Sequence, residues 1–499
     1  MPVDHARRPG LVLVGAVMAA ATVLAGCSPT TNNRPLPSPS GSATPRPFTV
    51  MVTGAITTVD PAVAVSRTDS MLVTSVYQRL MQVASNGELK PDAATDCAFT
   101  SRTVYECTLP STAAFQNGDK LTSADVRFSI QRALRLDVPG TSIGLLSSLR
   151  RIETPDPQTV RFVLSQEDNQ FGFALAGQAA SIVDSHTFDP DSGLPLGTLP
   201  VGSGPLAVAE VDGDAALLNR FESYVGPNPA QLTQLKVQVG ADSVAAEAAI
   251  ASAGVDVAWS CLDPAAQQRL DNEMAGHNGT TASGFSRVSL PGVTVTRLSW
   301  NPDSPLRKNA TLRTGVARAL QPDRSLDSIV PLGVPDRVKS FALGGRPKLP
   351  KLSGPRINLT LGYDPSDPGQ ADVARLLRDR LEDLDGVSVR IAATDHADLV
   401  LTSSPAWINN ALGWLQLYLE APLPASKAKL AGLESHARSS IGTARSADLS
   451  ELQQQAATDN TVLPVSQGNG VLFLGSGVRM TDGDFGSGQQ LGLWGLSRG

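Results

Sequence analysis

The sequence predicts an α/β fold in which strands and helices alternate along the chain. Segments 48–52 (FTVMV) and 236–241 (KVQVGA) are rich in the β-branched residues that favour strands. Segments 70–81, 123–134 and 371–384 carry apolar residues at the spacing of amphipathic helices. Because the two kinds of segment are interleaved, layered α/β architecture is favoured over a barrel or a helix bundle.

Length and composition indicate a globular protein of several domains. The chain has 499 residues, of which 41% are hydrophobic and 18% are charged. A chain of this length exceeds what one hydrophobic core usually organises. The formal net charge of −6 provides no basic field, so nucleic acid is excluded as an expected partner.

The first 27 residues have the pattern of an export signal. Arg7 and Arg8 precede an apolar run at 11–23 that is too short to span a bilayer, and the tetrapeptide LAGC then ends at Cys27. This tetrapeptide resembles the lipobox of bacterial lipoproteins, in which the cysteine is lipidated and becomes the mature N-terminus. We therefore predict a signal peptide at 1–26 and a lipid anchor on the extracytoplasmic face of the cell membrane. The alternative is an ordinary signal peptide with an incidental cysteine.

A tether is predicted between this anchor and the folded body. Residues 28–47 are dominated by Pro, Ser and Thr and contain too few apolar groups to form a core. We expect residues 27–47, the lipidated cysteine included, to hold the body away from the membrane surface.

Three cysteines remain in the body. Cys97 and Cys107 flank AFTSRTVYE, which has the pattern of two short strands around a turn. In an exported protein these two are expected to form a disulfide. Cys261 has no His or Cys near it in the sequence and is interpreted as a small buried hydrophobic residue.

A capped helix is predicted within AAFQNGDKLTSADVRFSIQRAL, residues 113–134. A polar turn at 116–119 leads to Thr122, after which apolar residues recur at helical spacing. Thr122 can cap the helix while Asp125 reaches back to the cap residue, which is the arrangement of a capping box.

Nine segments of the body follow one another in the order of a known family. They are TVDP (58–61), VYQRLMQV (76–83), GELKPDAAT (87–95), the capped helix (113–134), VGSGPL (201–206), NRFESYVGPNPAQLTQLKVQV (219–239), AAIASAGVDVAWS (248–260), RLSWNPDSPLRKNATLRTGVARAL (297–320) and DNTVLPVSQGN (459–469). In these segments the chain resembles the family-5 extracellular solute-binding proteins, which are the peptide- and nickel-type receptors of ABC importers.

The resemblance implies a two-lobed fold of the large class II periplasmic-binding-protein type, closing on its ligand like a clam. Two segments, near 293–300 and 462–464, would cross between the lobes and form the hinge. The predicted boundaries are 48–293 for lobe I, 294–463 for lobe II and 464–499 for the return to lobe I.

The resemblance also carries over the residues expected to approach the ligand. They are Val65, Arg67, Thr141, Ser142, Trp300, Asn301, Ser403, Ser404 and Trp407. Residue by residue, a structural role is the alternative, because Trp300 can pack in the core and Arg67 can be a solvated loop charge.

One feature of the family's peptide binders is missing. They carry an aspartate for the ligand's ammonium group in the segment that corresponds to 402–410, whereas this segment has no carboxylate here. The nearest acids are Asp398 and Glu420, and Leu206 replaces the tyrosine of the family's GTGPY segment. The usual route for binding a free peptide N-terminus therefore lacks its acid.

Catalytic and metal-binding patterns are absent from the sequence. The five histidines are far apart and have no cysteine at metal-ligand spacing. The G-x-S-x-G motif of serine hydrolases does not occur, and GSGQQLG at 486–492 differs from the dinucleotide-binding motif by one position. We therefore predict a binding protein without metal or cofactor, not an enzyme.

Two functions are compatible with the sequence. The first is a lipid-anchored, monomeric receptor that delivers a small solute, an oligopeptide or peptide-like compound, to the permease subunits of an ABC transporter. The alternative is the same fold acting as a scaffold or regulatory lipoprotein of the cell envelope without a transport ligand, which the missing aspartate and Leu206 favour.

Overall fold

Strands and helices alternate along the body of the protein, as the sequence predicts. A computed structural model describes residues 46–84, 87–138, 141–405, 410–481 and 491–499, apart from the side chains of 291–293, 404 and 405. All the elements named below belong to one compact unit, Pro47–Gly499.

Secondary structure covers the described residues from Phe48 to Arg498. The strands are β1 (Phe48–Val52), β2 (Met81–Val83), β3 (Leu89–Pro91), β4 (Asp96–Ser101), β5 (Val104–Thr108), β6 (Leu149–Asp156), β7 (Thr159–Leu164), β8 (Leu206–Val211), β9 (Ala215–Arg220), β10 (Gln234–Val239), β11 (Val257–Trp259), β12 (Ser286–Trp300), β13 (Ile357–Gly362), β14 (Val387–Ala392), β15 (Leu399–Pro405), β16 (Val462–Leu474), β17 (Val478–Met480) and β18 (Leu496–Arg498). The helices are α1 (Arg67–Val76), α2 (Ser123–Leu136), α3 (Phe171–Ala174), α4 (Ser243–Ala251), α5 (Pro264–Gly276), α6 (Ala310–Ala319), α7 (Gln370–Glu382), α8 (Ala411–Glu420), α9 (Lys427–Ser439) and α10 (Gly442–Asp459). Within the described ranges, no helix combines the length and apolar character needed to cross a bilayer.

A ten-stranded sheet runs through the unit in the order β14-β13-β15-β12-β16-β11-β1-β10-β9-β8. Its central strands β12 and β16 are 15 and 13 residues long and pair antiparallel with each other. The pairing of β12 with β15 begins at Thr294, whereas β16 pairs with β11 at the other end, through Leu472 to Leu474. Each long strand therefore lies in one lobe at one end and in the second lobe at the other.

The two long strands cross between the lobes where their pairing is irregular. The register shifts between Leu290, which is opposite Gly470, and Thr294, which is opposite Gly468. Glycine in a strand weakens the ladder and accommodates a bend. The two-lobed fold with two crossing segments is thus confirmed, while the lobe boundaries 48–293, 294–463 and 464–499 stay a prediction.

A separate four-stranded antiparallel sheet, in the order β4-β5-β7-β6, packs against α2. Cys97 on β4 lies directly opposite Cys107 on β5, and the two form a disulfide. At the start of α2 the carboxylate of Asp125 accepts a hydrogen bond from the backbone N–H of Thr122 at 2.9 Å, which is the return contact expected of the capping box.

A buried ion pair stabilises the turn formed by TVDP, residues 58–61. The carboxylate of Asp60, which is fully buried, accepts hydrogen bonds from the guanidinium of Arg132 on α2 at 2.9 and 2.5 Å. It also accepts the backbone N–H groups of Ala62 and Leu194. A buried carboxylate without such partners would be costly, so these contacts give the turn a structural role.

The region of the four-stranded sheet is attached to the second lobe by a second buried ion pair. Asp168, in the loop after β7, accepts a hydrogen bond from Arg438 of α9 at 2.8 Å, and both side chains are almost completely buried. The backbone N–H of Asn169 donates to the carbonyl of Arg438 at 2.9 Å. One apolar cluster includes both Phe162 of β7 and Trp414 of α8. We call these interactions the Asp168–Arg438 contact.

Candidate functional site

A cavity of about 550 Å³ lies between the two lobes. Its walls come from the loop before α1, the short 3-10 helix Ser142–Leu146, β12, the loop after β13, β15 and α8. The volume is within the range of about 300–1,000 Å³ that is usual for small-molecule sites. We call this space the interlobe cavity.

One face of α8 forms a wall of the interlobe cavity. The residues that line it follow the i, i+3, i+4, i+7 spacing of a single helix face; they are Gly413, Gln416, Leu417 and Glu420. The other side of α8 is packed into the core through residues such as Trp414 and Tyr418, each 1% exposed. The helix begins at Ala411, after its cap residue Asn410, whose side chain accepts the backbone N–H of Leu412 at 2.9 Å.

A buried arginine on a crossing strand faces the interlobe cavity. Arg297 is only 8% exposed, and its guanidinium carbon lies 5.2 Å from the centre of the Trp414 ring. Its neighbour Thr296 lines a different cavity, as expected from the alternation of side chains along a strand. Burial lowers the pKa of Arg297 to about 10, so the guanidinium is still protonated at neutral pH.

A carboxylate lies at the far end of the α8 face. Glu420 is an exposed residue, yet partial desolvation of its carboxyl raises its pKa, and the nearby charges of Asp137 and Glu434 raise it further, against a hydrogen bond with Gln416 that lowers it. The backbone of Gly144 approaches these side chains closely, because an added Cβ there would lie 2.5 Å from Nε2 of Gln416 and 2.7 Å from Oε1 of Glu420. Only glycine leaves both side chains where they are.

Two further polar atoms of the cavity wall are buried without a hydrogen-bond partner among the described residues. They are Oγ1 of Thr402 on β15 and Oε1 of Gln416 on α8. A buried polar atom that lacks a partner costs free energy, and such atoms in native proteins usually have a specific reason. Both atoms lie at the wall of the interlobe cavity.

The edge of the cleft is bridged by contacts between the lobes. Arg67 lies 3.8 Å from Asp367, and the hydroxyl of Thr53 donates to the carbonyl of Ser366 at 3.1 Å. Two smaller cavities, of about 110 and 160 Å³, adjoin these contacts. The second is lined in part by Cys261, which is buried, and burial raises the pKa of its thiol to about 12.

Several of the residues expected at the ligand come together at these cavities. Val65, Thr141, Ser142 and Ser403 line the interlobe cavity, and Arg67 lines the two smaller cavities.

The other expected residues lie elsewhere or outside the description. Trp300 is 3% exposed in the apolar core, and Asn301 forms a turn in which its side chain accepts the backbone N–H of Asp303; neither is among the residues that line the three cavities. The side chain of Ser404 and the whole of Trp407 lie outside the described residues. The ligand-binding roles of all these residues stay predictions.

Asp398 and Glu420 are the acids nearest to 402–410, the segment in which the family's peptide binders carry an aspartate. Glu420 lines the interlobe cavity, whereas Asp398 does not. Asp398 accepts hydrogen bonds from the hydroxyls of Ser304 and Thr360, both at 2.7 Å. Burial raises the pKa of Asp398, but these hydrogen bonds outweigh it and lower the pKa below its ordinary value. Asp398 therefore serves the packing of β13 and β15.

Arg297 and Gln416 were not predicted as site residues from the sequence. A signal for Arg297 was present, because it is the one charged residue in VTVTRLSW, residues 293–300. A lone charge in a strand that crosses the core has to face something polar. Gln416 gave no such signal, since polar residues on a helix surface are common.

A comparison with protein families identifies the class of protein. The model of the bacterial extracellular solute-binding proteins, family 5 (middle region), matches residues 88–338, which is 251 of the 499 residues. The chain belongs to this family. Its members bind solutes outside the cytoplasm and are not enzymes, so the resemblance seen in the sequence and the expectation of a non-catalytic protein are both confirmed.

The chain is also similar to curated proteins over part of its length. The chain is similar to the probable D,D-dipeptide-binding periplasmic protein DdpA of Escherichia coli strain K12, with 28% identity over 213 residues, 40% of this chain and 40% of that protein. The match thus spans less than half the length of this relative.

Two solved structures share the fold over nearly their whole length. The PBP AgaA of A. tumefaciens R10, in complex with agropinic acid, has a TM-score of 0.77 and 17% identity, over 91% of this chain and 98% of that chain. DppA of Helicobacter pylori, in complex with the peptide STSA, has a TM-score of 0.75 and 17% identity over the same shares. At such identities these likenesses show the fold alone, which is that of a periplasmic binding protein.

Proposed function

We propose that this solute-binding protein captures an oligopeptide or peptide-like compound in the interlobe cavity and delivers it to the permease of an ABC transporter. The observation that carries the proposal is the cavity itself, whose volume suits a small molecule and whose wall holds a buried arginine and two unpartnered polar atoms. The dipeptide-binding name of the curated relative and the peptide in the DppA structure support the peptide class.

In this proposal the lobes close about β12 and β16. Lobe I is 48–293, lobe II is 294–463, and 464–499 returns to lobe I. The contacts of Arg67 with Asp367 and of Thr53 with Ser366 would hold the closed form, since lobe closure around a ligand is the usual motion of such receptors.

The proposed place of action is the outer face of the cell membrane. The LAGC tetrapeptide supports a lipid anchor on Cys27, and the Pro/Ser-rich segment at 28–47 supports a tether. These residues, apart from 46 and 47, lie outside those that the structure describes. The receptor would act there as a monomer.

The envelope scaffold is the second candidate function. It is favoured by the absence of a carboxylate from residues 402–410, where the family's peptide binders hold the ligand's ammonium group, and by Leu206 in place of the tyrosine of the family's GTGPY segment. A scaffold of this kind would contain no solute, which separates the two functions experimentally.

The test is native mass spectrometry of the full-length protein, extracted from the membranes of its own host in mild detergent. The proposal predicts one small molecule per protein, because a closed cleft retains its ligand, and the mass of that molecule assigns its class. A protein without any bound molecule, also after incubation with a peptide extract of the host, would favour the scaffold.

A pair of variants makes the result specific to the interlobe cavity. Leu417→Trp introduces bulk on the cavity face of α8 and is expected to abolish retention. Leu376→Trp makes the same change on an exposed side of α7, where Leu376 is 46% exposed, and is expected to retain the solute. Equal retention by both variants would place the solute outside the interlobe cavity.

A further inference from the structure

We propose that a basic surface on the connection between α6 and β13 docks the protein on an anionic phospholipid bilayer. The cations of this surface, which we call the basic strip, are Lys339, Arg346, Lys348 and Lys351. The position next to a membrane is taken from the proposed function, in which Cys27 carries a lipid anchor. The basic strip adds a second attachment, which determines the side of the body that faces the lipid.

Positive and negative residues are unevenly distributed along this connection. Residues 337–356 contain six Lys and Arg residues and no Asp or Glu, although the whole chain has a formal net charge of −6. The next acid along the chain is Asp364. Like charges this close to one another repel, so such a cluster is typical of a surface that contacts an oppositely charged partner.

The connection is long and has no regular secondary structure. It extends from the end of α6 at Ala319 to the start of β13 at Ile357, and residues 320–356 contain neither a helix nor a strand. Connections longer than about 12–15 residues without secondary structure are uncommon in compact domains, where they are usually either functional or disordered.

This connection is ordered, because the body of the protein holds it from inside. Phe341 is 7% exposed in the apolar core. The side chain of Gln321 donates to the carbonyl of Gly344 at 2.7 Å, and Arg318 of α6 donates to the carbonyl of Lys348 at 3.0 Å. The backbone of the basic strip is therefore fixed on the body, while its Lys and Arg residues are exposed. A functional role explains this arrangement better than disorder.

The acids of the connection are already paired with arginines. The three pairs are Asp323 with Arg380, Asp327 with Arg337, and Asp336 with Arg445. The four cations of the basic strip are exposed and form no ion pair within the part of the chain that the structure describes. Their charge is therefore available to a partner outside the protein.

An exposed apolar residue favours a lipid surface over a soluble polyanion as this partner. Leu343 lies between Lys339 and Arg346 in the sequence and is 46% exposed. At a bilayer surface, Lys and Arg side chains contact anionic headgroups, while an apolar side chain enters the boundary between the headgroups and the acyl chains. The basic strip therefore suits a bilayer that contains anionic phospholipids.

The proposed tether is long enough for this contact. In the ten-stranded sheet β13, which follows the basic strip, is five positions from β1, and five strand spacings amount to about 24 Å. The tether at 28–47 leads from the proposed anchor to β1, and an extended chain of that length spans up to about 70 Å. The basic strip can therefore contact the same membrane that holds Cys27.

The test measures lysine acetylation on the full-length protein in lipid nanodiscs. Protein extracted from its host in mild detergent is transferred to discs of phosphatidylcholine alone, or of equal parts of phosphatidylcholine and phosphatidylglycerol. The acetylation rate of each lysine is then read by mass spectrometry. We expect Lys339, Lys348 and Lys351 to react at least about threefold more slowly in the anionic discs. High salt should restore the rate, because it screens the attraction.

Lysines elsewhere on the surface provide the internal control. Lys120 and Lys427 are exposed and lie outside the basic strip. Their acetylation rates should be the same in the two kinds of disc. A uniform slowing of all lysines would reflect the chemistry of the anionic surface and would overturn the assignment to the basic strip.

Charge-neutral variants assign the contact to its residues. Arg346→Gln combined with Lys348→Gln should abolish the protection of Lys351 in the anionic discs. Lys120→Gln combined with Arg127→Gln removes the same charge from two other exposed residues and should leave that protection unchanged. Urea unfolding should be the same for both double variants, since all four side chains are exposed. Equal protection of Lys351 in the two variants would contradict the proposal.

The outcomes separate this inference from the proposed function. Equal acetylation in both kinds of disc, by a protein that stays with the discs, would overturn the inference and leave the anchored receptor. A protein that stays only with the anionic discs, with Lys351 protected, would support the basic strip and overturn the lipid anchor. Protection of Lys351 by soluble polyphosphate, and not by the anionic discs, would overturn a lipid surface as the partner.

Discussion

Two buried arginines of this protein differ in the direction in which their pKa is shifted. Arg438, at the Asp168–Arg438 contact, is 2% exposed and lies 2.8 Å from the carboxylates of both Asp168 and Glu434. Burial lowers its pKa, but these carboxylates outweigh burial and raise the pKa above its ordinary value. Arg297 is 8% exposed, and burial lowers its pKa to about 10.

The difference indicates a packing role for Arg438 and a binding role for Arg297. At the Asp168–Arg438 contact the charge is compensated within the protein, so removing one partner leaves a buried charge and costs stability. At the interlobe cavity the charged form of Arg297 is held at a cost in folding free energy, as the direction of its pKa shift states. Stability should therefore depend on the first arginine and solute binding on the second.

The largest expected effect is on stability at the Asp168–Arg438 contact. Asp168→Ala leaves the Arg438 guanidinium buried with only part of its compensation and should lower the free energy of unfolding by about 3–5 kcal/mol. Urea unfolding measures the loss. Asp372→Ala, which removes the partner of Arg375 in an exposed pair on α7, is the control and should cost about 0–1 kcal/mol. Similar losses in the two variants would contradict the structural role of the contact.

The disulfide should also affect stability and not binding. Replacing both Cys97 and Cys107 by Ala frees a loop with a sequence separation of 10 residues, which the loop-entropy relation converts to about 2–3 kcal/mol. Solute retention should stay unchanged, because neither cysteine lines the interlobe cavity. Cys261→Ala removes a buried thiol without removing a cross-link and serves as the control. Loss of solute retention in the double variant would show that the disulfide affects binding as well as stability.

The roles of Arg297 and Arg438 can be compared directly by changing both arginines to the same residue. The loss in free energy of unfolding should be smaller for Arg297→Met than for Arg438→Met, by at least ~2 kcal/mol. The reason is that Arg297→Met removes a desolvated charge and keeps an apolar contact for Trp414. Only Arg297→Met should abolish solute retention. Equal destabilisation by the two variants, measured under the same conditions, would contradict this account.

The smallest expected effect concerns the shape of the cavity wall. Gly144→Ala adds a Cβ that displaces Gln416 and Glu420, whose flexible ends can move, so stability should change by less than ~1 kcal/mol. Affinity for the retained solute, measured by calorimetry, should fall several-fold. Gly432→Ala on α9, where an added Cβ meets nothing within 4 Å, should leave affinity unchanged. An unchanged affinity in Gly144→Ala would show that the position of Glu420 does not matter for binding.

The fold was accessible from the sequence because its determinants are local or ordered along the chain. The capping residues of α2, the strands around the disulfide and the crossing strand that contains Trp300 each occur within a short segment. The order of the nine segments then specified the family, and through it the two lobes.

The site was only partly accessible because it depends on distant residues. Thr402, Arg297 and Glu420 reach one cavity from two strands and a helix, and no sequence pattern records that proximity. Trp300 was expected near the ligand as an aromatic residue on a crossing strand, yet its side chain packs into the core. Arg438 was not considered at all, since its partner Asp168 is 270 residues away.

The most direct test of the central claim is a crystal structure of the full-length protein with the solute it retains from its host. The account predicts that the solute occupies the interlobe cavity and contacts residues of its wall. A solute elsewhere, for example in the 160 Å³ cavity beside Cys261, or a closed protein with an empty interlobe cavity, would contradict it.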